Sequence, residues 1–404
     1  MDVGAVRKDF PVLNQGVAGK PLVYFDNACM TLKPRAVIDA LVEYYTDYPA
    51  CGGRSVHKLS NKVSIRSIQA RERVASFLGA SRPEEVVFTR NTTEAINLVS
   101  HCLPLPKGKR VLTTDHEHNS NLSPWHRART LRGIRHEVVR SGPHNRFDLQ
   151  GFEERMGKDV ALVAMAHTSN LDGTTIPAKE VISIAHDHGA LVLLDAAQSI
   201  PHRPVDVRAL DVDLLAFSGH KALGPTGVGV LYGKEEVLAT MDPFIVGGDT
   251  VERTTYEDST FLPPPNKFEG GLQDYAGVIG TAVALQYLQR LGAQDVHDHE
   301  VRLNRALHDG IVDLPGVRIL GDPDPAARGG ITAFIHDRID PHDIAMILDE
   351  TSNIAVRSGM HCVHSWFLDQ HINGSVRASL FAYNTDEEVA LFGERLGKVI
   401  AQFG

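Results

Sequence analysis

The chain has 404 residues, 43% of them hydrophobic and 23% charged, with a formal net charge of −9. That length exceeds one ordinary core and predicts a soluble globular protein with one large and one smaller domain, while the negative balance argues against a nucleic-acid-binding surface. Cys29, Cys51, Cys102 and Cys362 are too few and too scattered for a disulfide framework or a Cys-x-x-Cys metal site, so a cytoplasmic protein without signal peptide or bilayer-spanning run is expected.

Residues 1–20 read as a short arm, helical over 6–13 and then turning. Residues 21–28 form a short strand ending in Asp26, Asn27 and Ala28, and Pro34 starts a helix over 35–48 with apolar positions at helical spacing. An irregular glycine-rich loop, 52–60, precedes a helix over 61–78; within it His57 suits a surface histidine capping a turn. Residues 85–90 are a strand, and Asn91, Thr92, Thr93 and Glu94 open a helix over 95–101, where hydroxyls can cap the helix or, with the free N–H groups, hold a phosphate. The strand over 110–114 leads to His116 and His118; the pair invites a metal, but no third ligand is at hand and none is expected. The similar pairs at 186/188 and 297/299 lie in helical patterns where i and i+2 share no face, and read as surface histidines.

A buried strand over 160–166 runs into His167, Thr168, Ser169 and Asn170, and a helix over 177–188 returns to a strand over 190–194. Alternation of this kind predicts an α/β fold with a mostly parallel sheet and its chemistry at the strand ends. Two such ends carry that chemistry. Asp195 closes a continuous apolar run, where an unpaired carboxylate is costly unless a cation such as a pyridine nitrogen faces it, and Gln198 follows within reach of the same ring. The strand over 214–217 then runs into Ser218, Gly219, His220 and Lys221. A lysine amine so placed can condense with pyridoxal phosphate, with Ser218 and His220 bonding to the phosphate.

Asp195-x-x-Gln198 followed by Ser218-Gly-His-Lys221-x-x-Gly-Pro-x-Gly227 resembles the class V aminotransferase family, specifically its cysteine desulfurase and selenocysteine lyase branch. The resemblance spans nearly the whole chain and implies a type I pyridoxal phosphate fold: a large domain over 21–285 built on a seven-stranded-type sheet, and a small α+β domain over 292–404 joined by the arm. It implies that Thr92 and Thr93 hold the cofactor phosphate, that His118 stacks on the ring and moves protons, and that Asn170 contacts the ring oxygen. Asn27 and Ala28 would line the substrate side, and the loop with His57 would reach a neighbouring active site in a homodimer.

Two arginines, Arg357 and Arg377, stand in the last hundred residues. Arg377 lies in an otherwise small and apolar strand, where a lone guanidinium needs an anion such as a substrate carboxylate. Cys362 sits between them in a polar, histidine-flanked loop that favours its reactive form. By resemblance this cysteine takes sulfur from L-cysteine as a persulfide, releases alanine, and passes sulfur to an acceptor protein, as in iron–sulfur assembly. Selenocysteine lyase, a β-lyase or epimerase that leaves Cys362 idle, and a non-catalytic scaffold are the alternatives. Departures from the family pattern stand at Leu272, where the family has a threonine contacting the partner subunit's phosphate, and at Asn119, Met360 and residues 363–366.

Overall fold

The computed structural model describes residues 1–17 and 19–404. Seven strands form the central sheet: β1 (Val86–Thr89), β2 (Arg110–Thr114), β3 (Arg135–Val139), β4 (Val160–Ala166), β5 (Leu191–Asp195), β6 (Leu214–Ser218) and β7 (Gly229–Gly233). Their order is β1-β7-β6-β5-β4-β2-β3, and only β7 runs against its neighbours. The apolar runs are continuous because both faces are covered. Leu162, Ala164, Leu193 and Ala216 enter one core, while Val163, Met165, Leu194 and Phe217, one residue out of step, enter the other.

Register brings the chemistry together. Ala166 pairs with Asp195 and Asp195 with Ala216, so the carboxyl ends of β4, β5 and β6 lie side by side, and Ser218 opposes Gly229. A Cβ on Gly229 would stand 2.5 Å from Asn91 Cα, so only glycine lets β7 pass beneath the start of the helix Thr92–Cys102.

A second sheet of four antiparallel strands, β8 (Val317–Ile319), β9 (Ile331–His336), β10 (Arg357–Gly359) and β11 (Ser375–Ser379), has the order β8-β9-β11-β10. Helices Ala293–Ile311, Pro341–Ser352 and Asp386–Phe403 pack on it through Leu303, Leu348 and Phe392. The short strand Val23–Tyr24 pairs in parallel with Ile354–Ala355, and Val23 and Phe25 join the same apolar cluster. Near the amino terminus, Phe10 packs on Tyr287 and Tyr383 while Arg7 reaches Glu388 at 2.7 Å. His299 is not the surface residue expected: it is buried and its Nε2 bonds to the Asn384 carbonyl at 3.0 Å. No described helix is long and apolar enough to cross a membrane.

Candidate active site

A pocket of about 260 Å³ opens between the two sheets. Asp195, at the end of β5, is 5% exposed and accepts from Ala197 N at 3.0 Å. Burial raises its pKa and Lys221 pulls the other way; burial in turn lowers that of Lys221 while Asp195 opposes. Each group thus offsets part of the other's burial penalty, and the carboxylate accepts no second hydrogen bond, leaving room for one from a ring N–H. Beside them Gln198 donates from Nε2 to Ala28 O at 2.7 Å, which leaves its buried Oε1 without a partner.

Thr92 is tied by both N and Oγ1 to Ser218 Oγ, at 2.8 and 2.6 Å, so the start of the helix Thr92–Cys102 is fastened to the end of β6. Asn91, not a threonine, caps that helix by accepting from Glu94 N, which leaves Thr92 and Thr93 at the pocket wall with Ser218 and His220. These hydroxyls, the helix start and the orphaned acceptor fit a pyridoxal phosphate.

His118 is seated by its neighbour. Glu117 is wholly buried and accepts from Thr114 Oγ1, Asn121 Nδ2 and Ala166 N at 2.6, 2.7 and 2.9 Å, which locks the turn after β2 against the end of β4. Burial pushes this carboxyl up to about 7. His118 Nδ1 accepts from Ser120 N at 3.1 Å, so the ring's proton resides on Nε2. Burial, then the charge of Lys221, lowers its pKa to about 3, so the imidazole is neutral at working pH.

Across the pocket, Arg377 is 1% exposed and is not the lone guanidinium expected. Its Nη1 donates to Asn170 O at 2.7 Å and its Nη2 to Asp26 at 3.4 Å, while Nε has no partner. Asn170 in turn donates to the His361 carbonyl at 2.7 Å, and Asn119 N donates to the Cys362 carbonyl at 2.7 Å. The loop they hold is strained: His361 and Cys362 have φ of 49° and 60°, two successive side-chain-bearing residues in the left-handed region. Cys362 is half-buried at the pocket wall with Arg357 and Ala28.

Of the residues singled out from sequence, two do not line this pocket. Asn27 is fully buried and spends its amide on the Ser379 and Tyr24 carbonyls and on Tyr383, so it braces the loop behind Ala28. His57 caps the helix Lys58–Leu78 by accepting from Ser60 N at 3.2 Å, away from the pocket of its own chain. Conversely, Cys29, Ser120 and His361 line the pocket without having been anticipated, and Arg357 Nη1 lies 2.8 Å from Cys29 Sγ. Cys29 follows Asn27 by two residues, which was the one available signal.

A strap also went unread. Thr31 N, Thr31 Oγ1 and Lys33 Nζ all donate to the His220 carbonyl, at 3.2, 3.1 and 2.8 Å, and Leu223 N donates to Thr31 Oγ1 at 2.9 Å. These bonds fix the turn that carries Lys221. Burial lowers the Lys33 amine to about 7 from 10.5. Between those values the folded chain binds fewer protons than the unfolded one, so stability rises with pH across the window and is lost as pH falls through 7. Lys33→Met should flatten the difference between denaturant midpoints at pH 7 and pH 10; an unchanged difference would exclude this assignment.

Asp195→Asn should separate site from scaffold. Without the carboxylate nothing balances a protonated ring nitrogen and the electron sink weakens, so turnover should fall roughly 10²-fold or more. The cofactor-free protein should melt no lower than the native one, because the amide removes a buried charge. Steady-state kinetics and thermal melts read both; retained kcat would remove Asp195 from the reaction.

Comparison with known proteins agrees with this geometry. The chain is 40% identical over 402 residues to a probable cysteine desulfurase of Synechocystis sp., covering 98% of this chain and 96% of that one. It superposes on the apo cysteine desulfurase of Thermococcus onnurineus NA1 with a TM-score of 0.94 at 38% identity, covering 99% and 98% of the two chains. With the cysteine desulfurase CsdA (S-sulfonic acid) of Escherichia coli the TM-score is 0.92 at 31% identity over the full length of both. The pattern of the aminotransferase class-V family matches residues 23–392, and this chain belongs to that family.

Proposed function

We propose that the protein is a cysteine desulfurase that converts L-cysteine to L-alanine and keeps the sulfur as a persulfide on Cys362. The observation that carries this reading is the single pocket holding the Cys362 thiol, the Lys221 amine, the Asp195 carboxylate and the Arg377 guanidinium. Pyridoxal phosphate is the cofactor, and when bound it supplies an electron sink that lets the Cα–H bond of an amino acid ionise.

Lys221 Nζ would hold the cofactor; Thr92, Thr93, Ser218 and His220 would receive its phosphate; Asp195 would balance its ring nitrogen; and His118, Gln198 and Asn170 would line the ring. Arg377, with Arg357, takes the substrate carboxylate in its two-pronged fork and so sets the Cα–H bond against the ring. Lys221 Nζ takes the Cα proton. Cys362 Sγ then gives its proton to neutral His118 or to Lys221 and forms an S–S bond as the substrate's Cβ–S bond breaks; Cβ keeps the electron pair, and that proton together with the one Lys221 took from Cα completes alanine. The division into an arm, a large cofactor domain and a small domain bearing the Cys362 loop puts the site in the cleft between the two sheets.

Sulfur is assigned to a protein acceptor, the enzyme to a homodimer, and its place to the cytoplasm, where thiols such as the four free cysteines stay reduced. For the dimer, Val56, Tyr256 and Leu272 are exposed on loops tied together by the Arg54–Asp249 ion pair and the Gly271 N to Gly248 O bond. Apolar side chains gathered on one side in this way suit a second copy, which would bring His57 to the neighbouring site. Light scattering should give twice the monomer mass; a monomer would overturn the dimer.

The deciding experiment incubates holoenzyme with L-cysteine and, separately, L-selenocysteine, and measures alanine and protein-bound persulfide. Alanine and a Cys362 persulfide from L-cysteine are expected. Alanine from selenocysteine alone would make the protein a selenocysteine lyase, and none from either would end both readings.

A further inference from the structure

Behind the active site a second cavity, of about 550 Å³, lies where the helix Ala178–Asp187, the helix Tyr275–Leu291 and the segment 203–210 meet. Its polar lining is lopsided. The Arg203 side chain is half-buried and donates to no acceptor among the described residues; the one charge acting on it is Glu300, whose carboxylate is already bonded to His202 Nδ1 at 2.9 and 3.0 Å. Lys179 stands exposed at the rim, likewise without an ion-pair partner among the described residues. The lining carboxylate, Asp206, spends Oδ1 on Arg208 N and Ala209 N at 3.0 and 2.9 Å. His167 closes the wall: its ring is 6% exposed and Nδ1 has no partner.

A half-buried guanidinium with no protein acceptor keeps its donors turned to the cavity, where an anion can take them in a two-pronged contact. Two cations, one neutral ring and the Gln289 amide offer several donors around one space, and Phe77 and Leu210 supply apolar wall for an organic portion. We propose that this cavity is a binding site for a small organic phosphate, held by Arg203 and Lys179, distinct from the cofactor pocket. The two sites share a wall, since His167 N donates to the Asp195 carbonyl at 2.9 Å and Thr168 lines the cofactor pocket.

The test uses holoenzyme freed of excess pyridoxal phosphate, so that the cofactor's own phosphate cradle is filled. Inorganic phosphate, pyrophosphate and glycerol 2-phosphate are titrated by calorimetry and by thermal melting, with sodium chloride at matched ionic strength as the control. Saturable binding and a rise in melting temperature that grows with ligand concentration are expected. Arg203→Gln should weaken binding at least ten-fold and Lys179→Gln several-fold, with the exposed Lys179 variant deciding should the Arg203 variant not fold. No saturable binding, or equal affinity in the native protein and the variants, would overturn the site. Cysteine turnover, measured apart, would stand in either case.

Discussion

Lys221→Ala should leave a protein that holds no cofactor through borohydride reduction and turns over L-cysteine roughly 10³-fold more slowly or worse. The proposed reaction gives the lysine two tasks at one nitrogen, attachment of the cofactor and removal of the Cα proton, and no second amine lines the pocket among the described residues. Lys33, the nearest alternative, is committed to the Thr31 and His220 carbonyls at 2.6 and 2.8 Å. Peptide mapping of the reduced native enzyme should place a pyridoxyl label on residue 221. A label elsewhere, or turnover within ten-fold of native in the variant, would remove the basis of the proposed reaction.

Cys362→Ser should abolish the protein-bound persulfide at that position and lower alanine formation by roughly 10²-fold or more, with KM little changed. The hydroxyl keeps the size of the side chain but cannot take sulfur, whereas Arg377, 1% exposed and fixed by Asn170 and Asp26, still holds the substrate carboxylate. Cys29 lines the same pocket, so the measurement is repeated in Cys29→Ala and in the double variant, with persulfide located by peptide mass. Native turnover in Cys362→Ser would favour a β-lyase or epimerase that leaves this thiol idle.

The elements legible in the sequence are those whose environment is uniform along their length. The strand Val160–Ala166 matches expectation residue for residue, since it is apolar throughout and both of its faces are covered. The edge strand Arg135–Val139 escaped notice because its pattern runs from exposed Arg135 to buried Val139 with polar residues between. So did Arg357–Gly359, three residues long and given its partner by Arg377, twenty positions on.

That Asp195, Gln198, Ser218, His220 and Lys221 line one pocket was legible in the chain, because each lies within a few residues of a strand end whose apolar run announces it. What no local pattern holds is the distance between groups remote in sequence. That Asp26 answers Arg377, that Cys29 meets Arg357, that Thr31 and Lys33 clasp the turn before Lys221, and that Asn27 faces inward are decided by strand register and by the closure of the second sheet over the first. Chemistry confined to one turn is written in contiguous residues, whereas burial and pairing depend on which distant surfaces exclude water together, and only the folded chain sets that.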